Sequence, residues 1–156
     1  MLKIKIIVVD RTRSPFLKQG EFFYLDRLRR YAHAEMVEVK PASIKKGRTK
    51  KEILSTEGDS IVKRLLPGDY IIGLDRLGKT VDSEGLARRI EKLSATQPSL
   101  VFIIGGPLGL SKDLLDRARE IFSLSRLTLT HEMTRLLLLE QLYRAFTIIK
   151  KEKYHK

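Results

Sequence analysis

Short apolar runs alternate with amphipathic helical patterns along this chain, and that alternation restricts the fold more than any other feature. Leu2–Val9, Glu35–Val39, Tyr70–Leu74 and Leu100–Ile104 read as strands, and Arg126–Leu129 is expected to be the last one. Between them, Phe16–Arg30, Lys51–Leu66, Asp82–Leu93, Ser111–Glu120 and Glu132–Ile149 carry helical spacing, with Asp82 placed to cap its helix. Ile44–Lys51 reads as a basic loop and Pro67-Gly68-Asp69 as a turn. Strand and helix in strict alternation predict an α/β fold, a mostly parallel sheet with helices on both faces. With 156 residues and neither repeats nor linkers, the chain is expected to form one domain over residues 1–156.

In such a sheet, ligands sit beyond the carboxyl ends of the strands. Three loops from the second half of the chain should meet there: Asp75-Arg76-Leu77-Gly78, the glycine-rich turn after Ile104, and Leu124–Leu129. Gly105-Gly106-Pro107-Leu108-Gly109 joins a buried strand to a helix, a backbone that turns sharply and lets a ligand approach closely. It lacks the spacing of a dinucleotide fingerprint and the Gly-Lys-Ser/Thr ending of a phosphate loop, and a purely structural turn is the competing reading.

Charge narrows the partners. Lys and Arg number 31 against 19 Asp and Glu, a formal net charge of +12. A surplus of that size favours a nucleic acid, with an anionic membrane and simple solubility as alternatives. Lys45, Lys46, Arg48, Lys50 and Lys51, with Arg27, Arg29 and Arg30, are candidate phosphate contacts. No apolar run is long enough to span a bilayer, and no signal-peptide pattern stands at the start, so no membrane role is expected. The absence of cysteine excludes disulfides and thiolate ligands and fits a cytoplasmic protein. His33, His131 and His155 lack metal-ligand spacing, so no metal is expected. Ile7-Val8-Val9-Asp10 resembles the start of a phosphoacceptor site, but Arg11 and Arg13 oppose a metal there.

The last helix carries Met133, Leu136 to Leu139, Leu142, Tyr143, Phe146, Ile148 and Ile149, apolar on nearly all sides. Either a subunit interface or a central core position explains it. Glu140 and Arg144 read as an ordinary exposed helical pair. By residue type alone the Lys150–Lys156 tail is a frayed basic end, although Tyr154 and His155 could stack on a base and move a proton.

The blocks IGGPLGLS and FSLSRLTLTHEMTRLLLLEQLYRAF, the terminal KYHK and the earlier LDRLGK together resemble the RlmH family of SPOUT methyltransferases along the whole chain. The resemblance implies a C-terminal deep trefoil knot, S-adenosylmethionine as cofactor, a homodimer, and no metal. It implies methylation of N3 of a pseudouridine in large-subunit (23S) ribosomal RNA on assembled ribosomes. It assigns cofactor contacts to Leu74, Gly105, Leu124, Ser125, Arg126, Leu127, Thr128 and Leu129, and brings Tyr154 and His155 to the active site with Arg144 as a substrate or catalytic residue. That reverses the frayed-end reading of the tail. Two departures stand out: Leu108 lies where some relatives carry a polar or acidic residue, and Thr130 replaces a proline before His131.

Overall fold

The computed structural model describes residues 1–43 and 47–156, so Ile44, Lys45 and Lys46 of the basic loop lie outside it. The elements run β1 (Lys3–Val9), α1 (Pro15–Leu28), β2 (His33–Val39), α2 (Lys50–Val62), β3 (Tyr70–Thr80), α3 (Ser83–Ser94), β4 (Ser99–Ile104), α4 (Lys112–Arg117), β5 (Glu120–Ser123) and α5 (His131–Ile149). They build a five-stranded sheet in the order β2-β1-β4-β3-β5, and every strand pairing is parallel. β1 and β4 are continuous apolar runs because both faces of the central strands are covered. Ile4, Ile6 and Val8 face α1, α3 and α5, while Ile7 and Val9 face α2 and α4.

Helix starts follow local chemistry. Thr49, Asp82, Ser111 and Thr130 each accept a bond from the amide three residues on, closing the first turns of α2, α3, α4 and α5. Thr130, the residue in place of the expected proline, thus caps the longest helix through its hydroxyl. α5 lies between α1 and α3 on the sheet, and no residue from His131 to Ile149 is exposed. Much of its all-round apolar character is therefore satisfied within one chain.

The last strand is not where the sequence placed it. Arg126–Leu129 is loop, and β5 is Glu120–Ser123. The predicted helix Ser111–Glu120 is shorter: it ends at Arg117, Ala118 turns extended, and the Arg119 amide bonds to the Ile71 carbonyl to begin the new strand. After Ser123 a serine-stabilised turn leads the chain off the sheet, with Ser123 Oγ on the Ser125 carbonyl (2.7 Å) and the Leu127 amide on Ser125 Oγ (3.0 Å). β3 is also longer than Tyr70–Leu74. Its pairing with β5 breaks between Leu74 and Lys79, and Asp75–Gly78 forms a bulge at the carboxyl end of the sheet.

Candidate cofactor cleft and C-terminal tail

A cleft of about 600 Å³ opens where β3, β4 and β5 end. Its walls come from Leu74, Asp75 and Arg76, from Ile104 to Pro107, from Phe122 to Ser125, and from Leu127 to Thr130. The start of α5 closes it with His131, Glu132 and Thr134, and Leu17 of α1 adds an apolar contact. Seven of the eight expected cofactor residues line this space: Leu74, Gly105, Leu124, Ser125, Leu127, Thr128 and Leu129. Arg126 is exposed and lies outside the wall.

Gly105 is required by close approach, since a Cβ there would collide with the backbone of Gly109. Gly109 itself sits at φ 83°, and its amide bonds to the Gly106 carbonyl (3.0 Å). The loop is a tight reversal that presents bare backbone to the cleft. His131, Glu132 and Thr134 were not expected here; a strong helix-start pattern hides that the helix begins at the cleft rather than behind it. Burial and the Arg135 guanidinium hold the His131 imidazole below its usual range, so it faces the cleft uncharged.

Beneath the cleft, α5 is locked to the loop after β1. Glu132 accepts the Arg13 amide (2.6 Å) and the Ser14 amide (3.2 Å), capping α1 from another helix. Fully buried Arg135 bonds to the Val9 carbonyl and to Thr12 Oγ1 (3.0 Å), and the Thr12 hydroxyl donates to buried Glu21 (2.8 Å). Arg13 pairs with Asp10 at 2.9 Å, in keeping with the exclusion of a metal-dependent phosphoacceptor there.

The tail is ordered. Lys151 adopts φ 57°, and the Glu152 amide reaches back to the Thr147 carbonyl (2.8 Å), a left-handed helix stop that turns the chain over the outer face of α5. Tyr31 then donates to Glu152 at 2.7 Å. The Tyr154 ring meets Tyr143 edge-on at 4.7 Å, its hydroxyl donates to Glu140 (3.0 Å), and the Arg144 guanidinium lies 4.7 Å from its ring centre. Arg144 Nη1 contacts His155 Nδ1 at 3.2 Å. A guanidinium can only donate, so Nδ1 accepts and the imidazole proton rides on Nε2, which faces Glu84 at 3.7 Å. Burial, then the bonds to Tyr24 and Glu140, push the Tyr154 phenol far up from its ordinary range. The bond to Glu140 likewise raises Arg144. The structure thus joins Arg144, Tyr154 and His155, but none of them touches the cleft of the same chain. Ten residues of helix separate Thr134 from Arg144, about 15 Å of rise.

α1 and α5 run side by side in the same direction, with Ser14 against Glu132 at one end and Tyr31 against Phe146 at the other. Their carboxyl ends gather Arg27, Arg29, Arg30, Lys150, Lys151 and Lys153. Arg27 stacks over Phe23 at 3.3 Å. Among the described residues, no group of acidic, histidine or cysteine side chains could hold a metal, and no helix is long and apolar enough to cross a membrane.

Residues 2–155 match the family model described as "Predicted SPOUT methyltransferase". The chain belongs to the SPOUT methyltransferase family. It is 38% identical over 154 residues to a protein of Thermotoga neapolitana named ribosomal RNA large subunit methyltransferase H, covering 99% of both chains. A protein of the same name from Halothermothrix orenii is 42% identical over 159 residues, covering 99% of this chain and 100% of its own. Among solved structures, a probable methylase family protein from Haemophilus influenzae superposes with a TM-score of 0.57 at 17% identity, over 100% of this chain and 72% of that one. A probable methyltransferase from Bordetella pertussis gives 0.55 at 15% identity, over 92% and 96%. The structural likeness concerns the fold alone; the sequence likeness spans both the cleft and the tail.

Proposed function

We propose that this SPOUT methyltransferase transfers a methyl group from S-adenosylmethionine to N3 of a pseudouridine in 23S ribosomal RNA, acting on assembled ribosomes in the cytoplasm as a homodimer of single-domain chains. The observation that carries the reading is the combination, in one chain, of the glycine-turn cleft with an ordered Tyr-His tail fixed on Arg144. Full-length likeness to proteins named for ribosomal RNA methylation supports the substrate, and the net charge of +12 suits it. Family membership supports a C-terminal deep trefoil knot.

The cleft fits the cofactor. Its volume of about 600 Å³ suits a nucleoside with an amino-acid arm, and Leu74, Leu124, Leu127 and Leu129 offer apolar walls to a purine ring. The turn at Gly105 and the backbone from Leu124 to Leu129, Arg126 included, would read its polar edges. Bound there, S-adenosylmethionine supplies an activated methyl group, so the protein mainly has to align an acceptor and manage a proton. Tyr154 and Arg144 hold the base and stabilise the negative charge that develops on its imide. His155 takes the N3 proton or orients a water that does. Its Nδ1 lone pair, which accepts from Arg144 Nη1 in the free chain, becomes available once the imidazole leaves that donor for the substrate.

A second copy supplies what one chain lacks. The separation between cleft and tail, the half-buried stripe of Met133, Leu136 and Leu137, and exposed Phe16 and Phe23 support a dimer in which one tail completes the other subunit's site. Mixing a Gly105 variant with a His155→Ala variant should then restore activity in heterodimers; none in verified heterodimers rejects the shared site. The main test offers labelled S-adenosylmethionine with ribosomes lacking the modification, separated large subunits, free ribosomal RNA and transfer RNA. Label confined to ribosomes and mapped to a pseudouridine is the expected result. Label on transfer RNA overturns the substrate, and absence of both label and cofactor binding makes the chain a ribosome-binding module.

A further inference from the structure

The charged pair that looks ordinary in sequence is the centre of the tail's hydrogen-bond array. Glu140 is only 15% exposed in its side chain, and both of its carboxylate oxygens are engaged. Oε1 accepts from Arg144 Nε (3.1 Å), from Arg144 Nη2 and from the Tyr154 hydroxyl (3.0 Å). Oε2 accepts from Gln141 Nε2 (2.8 Å). The Gln141 carbonyl oxygen in turn accepts from Ser83 Oγ at 2.7 Å, at the first residue of α3. A carboxylate can only accept and a serine hydroxyl can donate, so this chain of bonds fixes the Gln141 amide in one orientation. Ser83 also borders a crevice of about 340 Å³ that shares Leu74 and Leu124 with the cofactor cleft.

We infer that Glu140 is a positioning residue: it fixes the Arg144 fork and the Tyr154 hydroxyl on one carboxylate oxygen and ties both, through Gln141 and Ser83, to the start of α3. The inference rests on the proposed methyl transfer. Glu140 occupies the Nε and Nη2 edge of Arg144 and leaves Nη1, the donor that meets His155, as the edge turned towards the tail. Without the carboxylate, a long side chain and a seven-residue tail segment have many conformations to lose before a base can be held. The other groups around the tail are Tyr24 on α1, Tyr31 after it, which holds Glu152, Glu84 on α3, and Tyr143 and Arg144 on α5; of these, only Tyr24 shares the Tyr154 hydroxyl with Glu140.

The test compares wild type with Glu140→Gln and Glu140→Ala in the full-length protein. It measures methyl transfer to ribosomes, affinity for S-adenosylmethionine, and titration of the Tyr154 ring carbon by NMR, assigned with Tyr154→Phe. Glu140→Ala is expected to lower kcat by about 10- to 100-fold while cofactor affinity stays within about two-fold, because positioning is lost and the cleft is untouched. Tyr154 should titrate at lower pH in both variants, as a nearby anion no longer opposes its ionisation. Glu140→Gln should retain more activity than Glu140→Ala, since the amide oxygen can still accept. A kcat within two-fold of wild type, an unmoved Tyr154 titration, or loss of cofactor binding together with activity overturns the inference. If wild type itself transfers no methyl group, the functional reading falls, and the titration alone decides whether Glu140 holds the tail.

Discussion

Glu132 shows how one carboxylate can serve two elements at once. Burial pushes its pKa up, but the Ser14 and Arg13 amides, which bond the ionised form more strongly than the neutral acid, outweigh this and hold it below its usual value of 4.5. A depressed carboxylate contributes stability that is full above the unfolded value and lost as pH falls through the folded one. Glu132→Gln should therefore cost about 1–2 kcal/mol near neutral pH, and the difference from wild type should vanish in acid. Urea unfolding at pH 7 and below pH 4 measures it; equal losses at both would mean that shape rather than charge matters. Arg135 is the opposite case. Burial depresses its pKa and raises that of Glu21, which it reaches through Thr12. Arg135→Met should destabilise by about 3–5 kcal/mol, because the Val9 carbonyl and the Thr12 hydroxyl lose their donor and Glu21 loses its nearby cation. An acid whose folded pKa is raised destabilises the fold when ionised, so this loss should shrink as pH falls through the Glu21 range.

At the scale of elements, the glycine turn carries the sharpest expectation. Gly105→Ala drives a Cβ into the Gly109 backbone, which cannot yield as a flexible side chain would. Affinity for S-adenosylmethionine should fall by about 10-fold or more, an effect read by calorimetry, with the melting temperature showing whether the loss is local. This turn was legible in sequence, as were β1 to β4, because buried apolar runs bounded by glycine or proline carry their own signal. The end of the sheet was not. Arg126-Leu127-Thr128-Leu129 has the alternation of a half-buried strand, yet the Ser125 turn diverts it into the cleft wall, and the less conspicuous Glu120–Ser123 pairs with β3 instead. The tail failed for another reason. Neither Glu140 nor Tyr154 reveals by spacing that Lys151 will take a left-handed conformation and fold the chain back, so the residues alone pointed to fraying. Only the family resemblance corrected that. The residues that the family resemblance assigned to the cofactor line one cleft, except Arg126, while the contribution of α5 to that cleft was hidden because the end-on position of a helix is a tertiary fact.

The whole molecule is polarised. The cleft lies at the carboxyl edge of the sheet, where α1 and α5 begin, and one basic group, Arg27, Arg29, Arg30, Lys150, Lys151 and Lys153, stands where both helices end. Lysine and arginine at paired helix carboxyl ends are favourable locally and also form a phosphate-facing surface. Activity on ribosomes should therefore fall steeply with salt, and Arg29→Glu with Arg30→Glu should flatten that slope by about one unit per lost contact, with cofactor affinity unchanged. A slope identical to that of wild type would place the RNA on another face.

The lock between Arg135 and the loop after β1 also has a consequence in time. It joins Val9 to Arg135 across 126 positions, and β1 finds its second partner only in β4, whose residues lie more than ninety positions away. A core closed by such distant pairings must gather most of the chain before its central strand is secured on both sides. Refolding should consequently be slow, with relaxation of roughly milliseconds to seconds rather than microseconds. If the Arg135 lock forms after that search, Arg135→Met should leave the refolding rate nearly unchanged and speed unfolding instead, so that the buried cation sets how long the cleft stays folded rather than how soon it forms.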